Sequence, residues 1–189
     1  MKIGLYFGSF NPVHNGHLIV ANHVINNTEL QQVWMVISPQ NPLKKSSTLL
    51  NEYDRLHMLQ SALDGETKIK ASSVEFKLPK PSFTIDTLAY LKEKHPQHQF
   101  TIIMGADSFS NIEKWKNYEL ILKNYSIYIY ERKGFTIKDV EKATIEKLNA
   151  PLIEISSSTI RKIIKTGKSI RYLVPDVVNQ EIKQNKYYK

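Results

Sequence analysis

Two histidines three residues apart, His14 and His17, follow a short apolar run and the turn Gly8-Ser9-Phe10-Asn11-Pro12, and they open a segment with helical apolar spacing. If a helix begins near Asn15, both rings project toward its mouth. There the free backbone N–H groups and the positive end of the helix dipole attract anions, and each imidazole can donate an N–H to a phosphate oxygen. Gly8 lets the backbone approach a ligand and Ser9 adds a hydroxyl. Zinc ranks below phosphate, because only two nitrogens are local and the chain has no cysteine. A second cluster of the same kind is Ser156-Ser157-Ser158 with Arg161. Serines before a helix are ordinary caps, but capping does not require an arginine one turn in, whose planar fork can clamp a phosphate. Near Thr84, read as a helix N-cap, free N–H groups would also suit a carboxylate.

The charge balance agrees with an anionic ligand. The chain of 189 residues has a formal net charge of +8, and the segment from Ser156 to Lys189 alone carries +6. Such an excess suits nucleic acid, an acidic membrane surface or a small polyphosphate. The absence of cysteine excludes disulfide scaffolds, thiolate metal sites and thiol nucleophiles. No apolar run reaches the roughly 18 residues of a membrane span, and the apolar stretch after Met1 is too short for a signal peptide, so a cytoplasmic protein without a membrane partner is expected.

The elements that must hold these clusters alternate along the chain. Strands are expected over Lys2 to Phe7, Val33 to Ile37, Ile69 to Val74, Phe100 to Met104, Ser126 to Tyr130 and Leu152 to Ile155. Helices are expected from Gly16 to Asn26, from an Asn51 cap through Leu63 with Tyr53, Leu56, Leu59 and Leu63 on the inner face, from Ile85 to Lys94, from Ile137 to Leu148, and, in the C-terminal part, from Thr159 to Thr166 and Pro175 to Asn185. The central strands are apolar without alternation, as strands buried on both faces are. This predicts an α/β fold: a Rossmann-like open parallel sheet with helices on both faces and a small C-terminal helical part, in a single domain over residues 1–189. In such a fold ligands bind beyond the carboxyl ends of the strands.

His14-Asn15-Gly16-His17 matches the H-x-G-H signature of a nucleotidylyltransferase superfamily. The chain resembles its bacterial nicotinate-mononucleotide adenylyltransferases, whose opening motif reads G-G-T-F-D-P-[VI]-H-x-G-H-L. Here Phe7, Ser9 and Asn11 replace the first glycine, the threonine and the aspartate. Asn41-Pro42-Leu43-Lys44-Lys45 resembles the family's P-P-H-K loop, although two adjacent loop lysines are also ordinary solvated charges. Pro81-Ser82-Phe83-Thr84-Ile85-Asp86-Thr87-Leu88 resembles P-S-[YF]-T-x-D-T-L. Met104-Gly105-Ala106-Asp107 with Trp115 resembles G-x-D…W, Arg132-Lys133-Gly134 resembles R-x-G, and Ile155 to Arg161 resembles I-S-S-T-x-[IVL]-R.

The resemblance implies transfer of AMP from ATP to nicotinate mononucleotide in NAD biosynthesis, giving deamido-NAD and pyrophosphate, with Mg²⁺ arriving on ATP and no dedicated protein metal site. It places His14, His17, Lys44 and Arg161 in catalysis. Gly8, Ser9, Phe10, Asp107, Arg132, Ser156, Ser157 and Ser158 are placed around ATP, and Ser82, Phe83, Thr84 and Trp115 around the acceptor. Trp115 stacking on the pyridine ring and Trp115 as plain core packing are both open. Sister enzymes using nicotinamide mononucleotide or phosphopantetheine are the rival reading, separable by a substrate panel. Further rivals are a basic nucleic-acid-binding protein, which would bind duplex without turnover, and a class I aminoacyl-tRNA synthetase fragment, for which the chain leaves little room. No nucleic-acid partner is expected, and a homo-oligomer is compatible.

Overall fold

The computed structural model describes residues 1–40, 49–137, 140 and 143–189. Among them six strands form one parallel sheet: β1 (Lys2–Gly8), β2 (Gln32–Ile37), β3 (Ile69–Ser72), β4 (Gln99–Gly105), β5 (Ser126–Tyr130) and β6 (Ile145–Leu148), in the order β3-β2-β1-β4-β5-β6. The chain crosses from one half of the sheet to the other between β1 and β4, so the crevice of this open fold lies beyond the ends of those two strands. Helices α1 (Asn15–Asn27), α2 (Glu52–Ala62), α3 (Thr84–Lys94), α4 (Ala106–Phe109), α5 (Tyr118–Asn124), α6 (Ser157–Lys165) and α7 (Asp176–Gln184) cover both faces.

The alternation of side chains along each strand explains why the strands read as unbroken apolar runs. On one face Tyr6, Val33, Met35, Ile103 and Tyr128 pack with Val20 and Val24 of α1, Met58 and Leu59 of α2, Ile160 of α6 and Val178 of α7. On the other, Ile3, Leu5, Ile102 and Ile129 pack with Leu88 of α3 and Ile121 of α5. Both neighbours in a strand are therefore buried. Helices α6 and α7 share the core of α1 and α2. Among the described residues no helix is long and apolar enough to cross a membrane.

Several local expectations are corrected. Residues 145–148 pair with β5 as the edge strand β6, from Ile127↔Ile145 to Tyr130↔Leu148, not as the end of a helix. Good helix formers there yield to the unpaired ladder of β5, and the exposed Glu146 and Lys147 are charges of the kind that blunt a sheet edge. Residues 152–155 form no strand; they lead to the cap of α6. Strand β3 stops at Ser72, and Val74–Lys77 coils into a 3₁₀ turn. Helix α2 buries Arg55, Met58 and Leu59 and leaves Tyr53 65% exposed, so its inner face is rotated from the expected one. The Asn51 cap is present, its Oδ1 accepting the Tyr53 N–H at 2.9 Å. Phe83, not Thr84, occupies the N-cap of α3.

Candidate active site

Beyond the carboxyl ends of β1 and β4 lies a cleft of about 340 Å³. Its wall collects the loop after β1, the start of α1, the start of α4, the end of β5 and the start of α6. Eleven of the residues expected around phosphate and ATP line it: Gly8, Ser9, Phe10, His14 and His17 from the first segment, Asp107 and Arg132 from the second half of the sheet, and Ser156, Ser157, Ser158 and Arg161 from the last.

The first segment is built around Phe10. Its ring stands where a Cβ on Gly8 would be, 2.8 Å away, and Phe10 itself takes a left-handed φ of 44° and is buried. Glycine at position 8 is thus required by the folded-back ring as well as by any ligand. The Phe10 ring meets His17 edge-on at 5.0 Å. His14 sits at the N-cap of α1, with extended φ and ψ, and His17 one turn in; their rings stack at 3.6 Å between centroids. The His14 backbone N–H donates to His17 Nδ1 at 3.3 Å, so the ring's proton sits on Nε2, a donor suited to a phosphate oxygen. His14 is buried, and burial, aided by the Arg132 charge, pushes its pKa down to about 3. His14 is therefore a neutral imidazole near pH 7.

The last segment divides its serines among three tasks. Ser156 caps α6, its Oγ accepting the Thr159 N–H at 3.1 Å. Ser157 Oγ donates to the Pro12 carbonyl at 2.9 Å, and Ser158 Oγ receives Arg161 Nη2 at 3.4 Å. Arg161 Nη1 donates to the Asn11 carbonyl at 2.7 Å, tying α6 to the first loop. Across the cleft Arg132 Nη1 donates to the Ile153 carbonyl at 3.1 Å, and its Nε lies 3.8 Å from Asp107 Oδ1. A Cβ on Gly105 would run into the Asp107 carboxylate and stand 3.1 Å from the Tyr130 ring, so that glycine is what lets Asp107 turn back over the strand end.

Ser82, Phe83, Thr84 and Trp115 do not line this cleft. They belong to two other segments, the start of α3 and the stretch before α5. Phe83 caps α3, Trp115 packs half-buried against the second core, and Lys116 joins the two segments, its Nζ 4.9 Å over the Phe83 ring and 2.9 Å from Asp86 Oδ2. Lys44 and its Asn41 to Lys45 loop lie outside the described residues.

Sequence reasoning missed several lining residues. Tyr6 and Tyr130, at the ends of β1 and β5, share a hydrogen bond between hydroxyls at 3.0 Å within the cleft; their place at the carboxyl ends of central strands was the available signal. Asn11 is a hub: its Oδ1 accepts the Tyr188 hydroxyl at 2.8 Å and the Leu50 N–H at 3.2 Å. Arg55 is fully buried, with Nε on the Leu50 carbonyl (2.8 Å), Nη1 on those of Ser9 (2.7 Å) and Ser38 (2.9 Å), and Nη2 on that of Pro39 (2.9 Å). One guanidinium thus fastens the loops after β1 and β2 together.

A cytidylyltransferase-like family model matches residues 5–163. A "Probable nicotinate-nucleotide adenylyltransferase" of Flavobacterium johnsoniae is 51% identical over 192 residues, covering 100% of both chains. One of the same name from Cytophaga hutchinsonii is 49% identical over 189 residues, 100% of this chain and 98% of the other. Among solved structures, Plasmodium falciparum nicotinic acid mononucleotide adenylyltransferase complexed with NaAD superposes with a TM-score of 0.84 at 23% identity, covering 99% of this chain and 97% of that one, which speaks for the fold. The chain belongs to the cytidylyltransferase-like family and, within it, to the nicotinate-nucleotide adenylyltransferases.

Proposed function

We propose that the cleft carries out adenylyl transfer from ATP to nicotinate mononucleotide. A phosphate oxygen of the mononucleotide bonds to the α-phosphorus of ATP, the bond from that phosphorus to the bridging oxygen breaks, and pyrophosphate leaves with deamido-NAD as the other product. The observation that carries this reading is the makeup of the wall: two stacked imidazoles, two arginines and five serines against, among the described residues, the single carboxylate of Asp107.

Such a wall suits a reaction that needs no general base. The nucleophile is a phosphate monoester, whose second pKa near 6 leaves it largely ionised at neutral pH. The protein's work is alignment and neutralisation of the charge that grows on the α-phosphate and the leaving group. His17 donates from Nε2. His14, neutral and stacked beneath, fixes the His17 ring. Arg161 and Arg132 bring two guanidinium groups to the cleft, and Lys44, outside the described residues, is assigned to the same phosphates. Mg²⁺ fits as an ion carried on the ATP phosphates and water, adding positive charge there: among the described residues no three His, Asp or Glu side chains come together, and Asp107 is the one carboxylate in the wall.

The acceptor is assigned to the start of α3, with Ser82, Phe83 and Thr84 around its acid and Trp115 on its ring. By position the Thr84 and Ile85 N–H groups precede any acceptor within the helix, and they lend a donor pair and the dipole to a carboxylate. Residues 1–189 act as one catalytic unit, since α6 supplies Arg161 while packing in the core of α1 and α2. Pyrophosphate release measured with ATP and each candidate acceptor tests the reading: turnover with a pyridine mononucleotide supports it, and turnover only with another acceptor overturns it.

A further inference from the structure

Glu75 is a buried carboxylate, 2% exposed, with no role in the transfer described above. It lies in the 3₁₀ turn between β3 and α3. Its Oε2 accepts the Ser82 hydroxyl at 2.6 Å, and its Oε1 accepts the Thr87 hydroxyl at 2.9 Å. A further hydroxyl, that of Ser38 just past β2, also bonds to it. Burial pushes the Glu75 carboxyl above the ordinary carboxylate value, and these hydroxyls oppose that rise. Among the described residues no ion pair compensates it.

A carboxylate caged by hydroxyls is an expensive way to fill space, because a lost desolvation shell is replaced by a few bonds and no opposite charge. What the cage does accomplish is geometric. Its three hydroxyls come from the end of β2, from the extended loop before α3 and from the first turn of α3. Ser82 immediately precedes Phe83 at the cap, and Thr87 lies one turn inside. The Thr87 hydroxyl has only a longer bond, 3.3 Å, to the Phe83 carbonyl, so Glu75 is its shorter partner. Charge-assisted bonds of this kind are short and directional.

We propose that Glu75 is a positioning residue for the acceptor: by holding Ser82 and Thr87 it fixes the first turn of α3 in the orientation that receives the acid of the pyridine mononucleotide. This rests on the placement of the acceptor at α3. The carboxylate does not touch substrate; it sets where the Thr84 and Ile85 N–H groups are aimed. ATP, bound across the sheet end, is not oriented by it.

The test is steady-state kinetics of Glu75→Leu, Glu75→Gln and the double variant Ser82→Ala with Thr87→Val, each substrate varied in turn. Glu75→Leu is expected to raise KM for nicotinate mononucleotide tenfold or more with KM for ATP changed less than twofold, Glu75→Gln to recover part of the loss, and the double variant to reproduce it. Equal changes in both KM values, or a lowered melting temperature with unchanged kinetics, overturn the proposal. Should Glu75→Leu fail to fold, Thr87→Val alone, which keeps the carboxylate and Ser82, decides by the same split. Wild type that turns over a mononucleotide while the variants lose only ATP affinity sinks this role alone; wild type inert with both pyridine mononucleotides removes the acceptor assignment and this role with it.

Discussion

The backbone N–H of His14 donates to Nδ1 of His17 at 3.3 Å while the two rings stack 3.6 Å apart. The helix cap thereby fixes which nitrogen of His17 bears the proton, and hence what the ring offers an anion. A donor aimed at charge that develops in the transition state is worth more there than in the ground state. His17→Ala should lower kcat about 10²- to 10³-fold, the effect of losing one such donor. Its melting temperature should stay within a few degrees of wild type. A near-normal kcat removes His17 from the reaction.

The buried His14 makes stability depend on pH. Its pKa in the folded protein, about 3, lies below the ordinary histidine value of 6.5. Above pH 6.5 both states hold it neutral and nothing changes. Below, the unfolded chain takes the proton first, so stability falls as pH drops from 6.5 toward 3. Between pH 6.5 and 5 the loss amounts to roughly 2 kcal/mol, at about 1.36 kcal/mol per unit. Urea unfolding at a series of pH values should show this slope in wild type and lose it in His14→Asn. An identical slope in both proteins contradicts a neutral buried His14.

Arg161 donates Nη1 to the Asn11 carbonyl and Nη2, at 3.4 Å, to Ser158 Oγ, and its side chain lines the cleft. Arg161→Lys keeps the charge and loses the fork. KM for ATP should rise roughly tenfold, in line with one lost charge-assisted bond, while the ratio of efficiencies between acceptors stays the same. A shifted acceptor preference places Arg161 in the other half of the site. Lys44→Ala should behave likewise.

Arg55 is the fastening of the two loops. Arg55→Met leaves the carbonyls of Ser9, Ser38, Pro39 and Leu50 without that partner inside the protein. Unsatisfied buried acceptors cost on the order of 1–3 kcal/mol each before relaxation, so a net loss of about 3 kcal/mol or more in urea unfolding is expected. A loss under 1 kcal/mol shows that the loops hold without it.

The fold was legible because burial on both faces leaves its mark directly on composition: Val33 to Ile37 and Phe100 to Met104 have no polar interruption except Thr101. The edge strand β6 was not, because an edge strand with charged residues facing water is locally indistinguishable from a helix, and only the open ladder of β5 decides. The gathering of residues at the cleft was legible for a similar reason. Histidines, serines and an arginine placed just after strands or at helix starts fall where this fold brings chain segments together. Arg55 and Glu75 left no such mark. In the chain each looks like a solvated charge beside apolar residues, and each gains meaning from backbone carbonyls or hydroxyls supplied by distant segments. Asn11 was noticed as a departure from a motif, yet its bond to Tyr188, near the other end of the chain, lies beyond any local pattern.

The acceptor is predicted to be the acid form of the pyridine mononucleotide. On the acceptor placement proposed above, N–H groups at the start of α3 would donate to both oxygens of a carboxylate, whereas the amide's own NH₂ would meet a donor and stay unpaired. An unpaired buried donor costs roughly 1–3 kcal/mol, which at about 1.4 kcal/mol per tenfold corresponds to a preference of about five- to over a hundred-fold. Trp115 stacking cannot supply this, since it meets a flat ring in either case. Competition kinetics with nicotinate and nicotinamide mononucleotides measure the ratio of kcat/KM directly. A ratio of at least about five in favour of the acid is predicted, and equal efficiency or a preference for the amide would contradict the account.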